Sequence, residues 1–221
     1  MTADTATPAA ETLQYLKQPY GELAWLINSH AANQPERIAL DDGEERLTWG
    51  ETAALVNRIA AQLQAEGLQK GQAVSILGTT TIRYALVYLG AIAAGGCAAP
   101  LTTSATPQQL VAMMTDSGAG HLFIDHTKRA ELADSGVTLP NLKHVMMDAP
   151  DDSDGAPFLF DWMAVEDAML VEVETGPNDP YNIIYSSGTT GTPKGIVHSR
   201  QMRWYRMAVG EESGLGQPEQ V

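Results

Sequence analysis

Residues 73–101 read AVSILGTTTIRYALVYLGAIAAGGCAAPL, from Ala73 to Leu101. Ala73 to Leu77 has the length and composition of a buried strand. Thr81 to Ala94 is nearly all apolar, which predicts a helix sandwiched between layers rather than lying on the surface. Gly95-Gly96 breaks it, and Cys97 to Leu101 returns as a second buried strand. Two buried strands joined through a helix form the crossover unit of a parallel sheet.

The same rhythm continues downstream. Pro107 to Asp116 reads as a helix with Pro in its first turn. His121 to Asp125 reads as a strand, Lys128 to Ala133 as a short helix and Val145 to Met147 as another strand. Phe160 to Met169 is expected to be a short helix, and Asn182 to Tyr185 (NIIY) a strand. Upstream, Tyr20 to Asn33 reads as a helix striped by Leu23, Leu26, Ile27 and Ala31 and ended by Gln34-Pro35. Arg37 to Asp41 and Arg46 to Thr48 suit a short hairpin. Thr48-Trp49-Gly50-Glu51 fits a capping box that opens a helix through about Glu66, with Leu55, Ile59 and Leu63 on one face and Gly67 as its stop. The expected fold class is α/β, a mostly parallel sheet with helices on both faces. Residues 1–11 are expected to be a flexible terminus. Residues 12–221 are read as one partial domain, with an acidic connection near 148–179.

The chain has 221 residues, 27 acids and 13 bases, for a formal charge of −14. That balance disfavours nucleic acid as a partner, and equally an anionic membrane surface. A single cysteine, Cys97, excludes an internal disulfide framework and any multi-cysteine metal site. No run approaches the roughly 18 apolar residues of a transmembrane helix, and MTADTATPAAETLQ lacks a signal pattern. A soluble cytoplasmic protein is expected. The charge is uneven. Asn141 to Pro180 holds ten acids against one base, a balance of −9, whereas Lys194, Arg200, Arg203 and Arg206 give +4 with no acid between Asp179 and Glu211. This positive island suits a small anionic ligand, or else the basic outer face of a helix. DDSDG (151–155) superficially suits a calcium loop but lacks the spaced Glu.

Residues 185–199 read YSSGTTGTPKGIVHS. Glycines at 188, 191 and 195 let backbone N–H groups approach an anion. The hydroxyls of Ser186, Ser187, Thr189 and Thr190 donate further bonds, and Lys194 supplies charge. The result is a phosphate cradle. It is not a Walker A loop, because Pro193 precedes Lys194 and Gly195 follows it, and Ile196-Val197 reads as strand.

YSSGTTGTPKG closely resembles the signature loop of the adenylate-forming enzymes: acyl-CoA synthetases, peptide-synthetase adenylation domains and luciferases. RLTWGE (46–51) resembles the family's LTY-x-E helix opening, and LGAIAAGG running to Pro100-Leu101 resembles its LGA-x-x-AG…P turn. The resemblance implies that the fold is part of the large N-terminal domain of an acyl-CoA synthetase. It implies a carboxylate attacking the α-phosphorus of ATP, with acyl transfer from AMP to coenzyme A. It further implies that Ser186, Ser187, Gly188, Thr189, Thr190, Gly191, Lys194 and Gly195 bind the phosphates. Lys194 and Thr190 would be catalytic, with Thr190 (or its neighbour Thr189) beside Mg²⁺. A fatty or aryl acid is the implied substrate.

The family's later marks, including the adenine-contacting segment and the lysine-bearing C-terminal domain, are not found in the chain. An N-terminal piece, inactive alone and prone to form a homo-oligomer, is therefore expected. The alternative is a non-catalytic nucleotide- or partner-binding module that kept the loop. His198 is read as structural or as facing the acyl pocket, Cys97 as inert core, and Trp25, Trp49 and Trp162 as packing residues. The pairs Met113-Met114 and Met146-Met147 are read as core.

Overall fold

A computed structural model describes residues 10–150, 155–166, 168–186 and 193–212, with side chains through 209 in the last stretch. Helix α1 (Ala10–Leu16) starts inside the stretch expected to be irregular. It is held because the Tyr15 ring stacks on Trp25 at 3.7 Å and the Tyr15 hydroxyl accepts the Glu22 N–H at 2.8 Å. Helix α2 (Leu23–Asn33) begins three residues later than the sequence pattern suggests. Glu22 is extended and Gly21 is pressed against the Trp204 ring, so tertiary contact displaces the first helical turn.

β1 (Ile38–Asp41) and β2 (Arg46–Thr48) form the expected antiparallel hairpin. Thr48 then caps α3 (Trp49–Ala65). Its hydroxyl accepts from the Glu51 N–H at 3.3 Å while the Glu51 carboxylate accepts from the Thr48 N–H at 2.8 Å. Gly67 stops the helix at φ +89°, a region glycine enters freely.

Strand and helix then alternate: β3 (Ala73–Leu77), α4 (Ile82–Ala93), β4 (Cys97–Pro100), α5 (Pro107–Ser117), β5 (His121–Ile124), α6 (His126–Asp134) and β6 (Lys143–Met146). After α7 (Leu159–Trp162) come β7 (Pro180–Ser186), β8 (Lys194–Ser199) and α8 (Arg200–Glu212). The main sheet has the order β6-β5-β3-β4-β7-β8. Its first five strands are mutually parallel, and β8 is an antiparallel edge.

Side chains alternate across the sheet. Phe123 of β5 joins Val74, Ile76 and the inner faces of α2, α3 and α4 in one core. Its neighbours Leu122 and Ile124 join Leu110, Met113 and Met114 of α5 and Leu132 of α6 in the other. Both methionine pairs are buried, as expected of core. Among the described residues no helix is long and apolar enough to cross a membrane.

Helices α3 and α4 meet at Gly90. A Cβ there would lie 2.5 Å from Ile59 Cγ2 and 2.9 Å from Ile59 Cβ. Ile59 is fully buried and stiff near its backbone, so it has nowhere to go. Gly90→Ala should therefore destabilise the chain by roughly 1–3 kcal/mol despite the better helix propensity of alanine. Urea denaturation checks this, and an unchanged midpoint would mean that the two helices can separate freely.

The acidic stretch is more than a solvated connection. Leu159, Trp162 and Met163 are buried in it. Instead of the helix expected from Phe160 to Met169, only Leu159–Trp162 is helical. Downstream, the Gln64 side chain clips an irregular run: it donates to Val171 O at 2.9 Å and accepts from Val171 N at 3.0 Å. Val173 then lies on Gly95, where a Cβ would meet it at 2.7 Å. These contacts replace helical hydrogen bonds. Residues 151–154, most of the superficial calcium loop, lie outside the described residues.

Candidate functional site

Strand β7 runs parallel to β4 and ends at Ser186. In open α/β sheets, ligands sit beyond the carboxyl ends of the strands. Strand β8 returns from Lys194, in register Tyr185↔Gly195 and Ser186↔Lys194. Ser186 and Lys194 thus face each other at the mouth of a hairpin, both exposed to solvent. Lys194 carries no ion pair among the described residues. Ser187, Gly188, Thr189, Thr190 and Gly191 lie outside the described residues, so the roles assigned to them rest on sequence alone. The loop leads into a strand, and not into the helix that a Walker loop opens.

Gly195 has a packing reason to be glycine. A Cβ there would lie 3.0 Å from Ile183 Cγ2, 3.1 Å from Tyr185 Cε1 and 3.1 Å from Asp116 Oδ2. The Tyr185 ring crosses this gap, and its hydroxyl reaches Met113 O at 2.9 Å and Asp116 Oδ2 at 3.0 Å on α5. Burial, reinforced by Asp116, pushes the Tyr185 hydroxyl above its ordinary pKa, so it stays protonated as a donor. Tyr185 heads the quoted motif, yet sequence reasoning gave it no role; Asp116, on a distant helix, left no signal.

The positive island separates in space. Lys194 opens β8 and Arg200 follows its end, roughly 20 Å away along an extended strand. Arg200 is not on an outer face: its side chain is 3% exposed and pairs with Glu22 Oε2 at 2.9 Å. Sequence reasoning missed Glu22 and also Trp204, which is 1% exposed. Arg203 donates to Asn182 Oδ1 at 2.9 Å and to His198 Nδ1 at 2.8 Å. Desolvation, with Arg203 adjacent, holds the His198 pKa below its usual value, consistent with a neutral structural acceptor. Arg206 lines a cavity of about 370 Å³ with Tyr88, Tyr181 and Ile184.

Cys97 is buried, and burial pushes its thiol up to about 11, so it is inert. Trp25 stacks on Tyr15 and Trp49 on His30. Trp162 donates to Glu66 Oε1 at 2.7 Å. Among the described residues no group of three or more His, Cys, Asp or Glu could hold a metal ion.

The family model described as AMP-binding enzyme matches residues 27–214. The chain belongs to the AMP-binding enzyme family. Gramicidin S synthase 2 from Brevibacillus brevis is 30% identical over 176 residues, 80% of this chain and 4% of that protein. The 3-hydroxybenzoate–CoA ligase of Aromatoleum sp. (strain CIB) is 32% identical over 172 residues, 76% of this chain and 31% of that ligase. The inhibitor-bound N-terminal domain of FACL13 from Mycobacterium tuberculosis superposes with a TM-score of 0.67 at 27% identity, covering 81% of this chain and 44% of that one. The chain thus spans under a third of the length of these two curated AMP-binding relatives. The parallel sheet with helices on both faces is the N-terminal fold of the family.

Proposed function

We propose that this chain is the N-terminal, phosphate-binding part of an ATP-dependent acyl-CoA synthetase, whose further residues complete the adenine, acyl and coenzyme A pockets. The observation that carries the reading is the β7–β8 hairpin. It sets Ser186 opposite Lys194 at the carboxyl edge of the sheet. Residues 187–193 between them would wrap the β- and γ-phosphates with N–H and hydroxyl donors, and Lys194 would neutralise the departing pyrophosphate. Mg²⁺ would arrive with the nucleotide and share the Thr190 hydroxyl. The acid substrate is a fatty or aryl carboxylate; the similarity to a 3-hydroxybenzoate ligase supports the aryl branch. The similarity to a peptide synthetase supports adenylation without favouring coenzyme A as acceptor. The unit includes α1, and the acidic run near 148–179 is its strap, held through Val171 on Gln64 and Val173 on Gly95. The exposed apolar pair Ile184 and Ile196, opposite each other in the β7–β8 ladder, is where we place any homo-oligomeric contact.

Titration of the chain with a non-hydrolysable ATP analogue and Mg²⁺, followed by calorimetry, tests the site. Lys194→Ala should weaken binding at least roughly tenfold, the scale of a charge-assisted phosphate contact. Binding that ignores Lys194 would sink the phosphate reading. For the longer protein, pyrophosphate release from a carboxylate panel, with and without coenzyme A, separates a thioester-forming synthetase from an adenylation domain.

A further inference from the structure

We propose that Tyr185, Gly195 and Asp116 form a positioning latch, in which α5 holds the mouth of the β7–β8 hairpin and thereby places Lys194 for phosphate. This inference rests on the phosphate reading of the loop.

The need for a latch follows from how little else holds this corner. Strand β8 is an edge, and Lys194, Gly195, Ile196 and Val197 are all exposed. Burial of apolar surface, the usual anchor of a strand, contributes little there. The ladder to β7 holds β8 to its neighbour, and β7 is paired with β4 at Asn182, three residues short of Tyr185, so the hairpin mouth projects past that pairing. Tyr185 supplies the missing tie. Its ring fills the space left by the absent side chain of Gly195, directly opposite in the ladder. The hydroxyl has one proton and two acceptors in reach, Met113 O and Asp116 Oδ2. Both belong to the last turns of α5, which is rooted in the core through Leu110, Met113 and Met114. The residues on either side of this tie, Ser186 and Lys194, are the two ends of the phosphate loop. A constraint at Tyr185 and Gly195 is therefore a constraint on where the loop begins and ends.

The test uses the 221-residue chain and magnesium pyrophosphate as probe, with dissociation constants read from two-dimensional amide spectra, which detect millimolar binding. Tyr185→Phe keeps the ring over Gly195 and removes only the hydroxyl. It should weaken binding roughly five- to tenfold, the scale of one lost hydrogen-bonded constraint. Gly195→Ala, which pushes the ring away, should do the same. Amide signals from β3, β4 and β5 should stay in place in both variants, which separates a moved loop from a damaged fold. In a Lys194→Ala background Tyr185→Phe should have no further effect, because the latch acts through Lys194.

Pyrophosphate binding that is absent, or indifferent to Lys194→Ala, in the unaltered chain overturns the phosphate reading and the latch with it. Lys194-dependent binding that Tyr185→Phe leaves unchanged overturns the latch alone. Equal loss from Tyr185→Phe with and without Lys194 also overturns it, since the effect would then not pass through that lysine.

Discussion

Arg200→Ala should destabilise the chain by roughly 2–3 kcal/mol, because it removes a buried guanidinium from two buried carbonyls and from a carboxylate that is 33% exposed. The Arg200 side chain is 3% exposed. One nitrogen, Nη1, donates to Glu22 Oε2 at 2.9 Å. The other, Nη2, donates to Ile92 O at 3.1 Å and Gly96 O at 3.2 Å, where α4 ends and turns toward β4. Carbonyls at a helix C-terminus carry partial negative charge, so a guanidinium suits them on that ground as well. Truncation would leave the two carbonyls without this donor and Glu22 without its cation. Glu22 also binds the Tyr20 hydroxyl and the Thr175 hydroxyl, so the loss should spread to the α1–α2 corner and to the acidic strap. Arg200→Lys should recover only part, because an ammonium cannot fork across three acceptors. Thermal melting should show a fall of roughly 5–10 °C for the alanine variant. A fall of only one or two degrees would mean that the contacts of the Arg200 guanidinium contribute almost nothing.

Glu66→Gln should cost roughly 2–3 kcal/mol, because it strips charge from a hub of donors. Glu66 caps the end of α3 and is 19% exposed. It accepts from Lys143 Nζ at 2.8 Å, Trp162 Nε1 at 2.7 Å and Gln62 Nε2 at 3.0 Å, and it meets His121 Nε2 at 3.0 Å. An amide in its place would point two N–H donors at groups that are themselves donors. Burial by itself would raise the carboxyl pKa. The bonds from Lys143, Gln62, His121 and Trp162 outweigh it and hold the group at about 2, against an ordinary 4.5. A carboxyl with a depressed folded pKa stabilises the protein above its unfolded pKa. The contribution should be constant above about pH 5.5, then shrink as pH falls from 4.5 toward 2. Urea denaturation of both proteins between pH 7 and pH 3 reads it directly. A gap between them that stays the same at pH 3 as at pH 7 would contradict the ionised hub.

Much of the architecture was legible in local patterns. The Thr48–Glu51 capping box lies where it was read, because a cap is a contact between residues three apart. A second box at Thr106 and Gln109 opens α5 by the same logic, with Pro107 in its first turn. The alternation of buried strand and apolar helix from Ala73 to Leu101 specified parallel pairing, since a helical crossover leaves few other solutions. Where local pattern failed, a distant partner had intervened. The expected helix from Phe160 to Met169 is cut short, and Gln64, 107 residues from Val171, holds the irregular run that follows.

The candidate site divides the same way. The composition of the loop, its glycines, hydroxyls and Lys194, points to phosphate without any coordinates, because anion binding needs those groups close together in the chain. Proximity along the chain also grouped Lys194 with Arg200, which the fold then separated. One extended strand carries Arg200 roughly 20 Å from Lys194, and packing buries it against Glu22, 178 residues earlier. Tyr185 meets Asp116 across 69 residues for the same reason. Local periodicity and motif spacing determined the order of elements and the chemistry of the loop. Only the tertiary structure decided which charges lie together and which tyrosine holds the hairpin, because those contacts join residues that the chain itself keeps far apart.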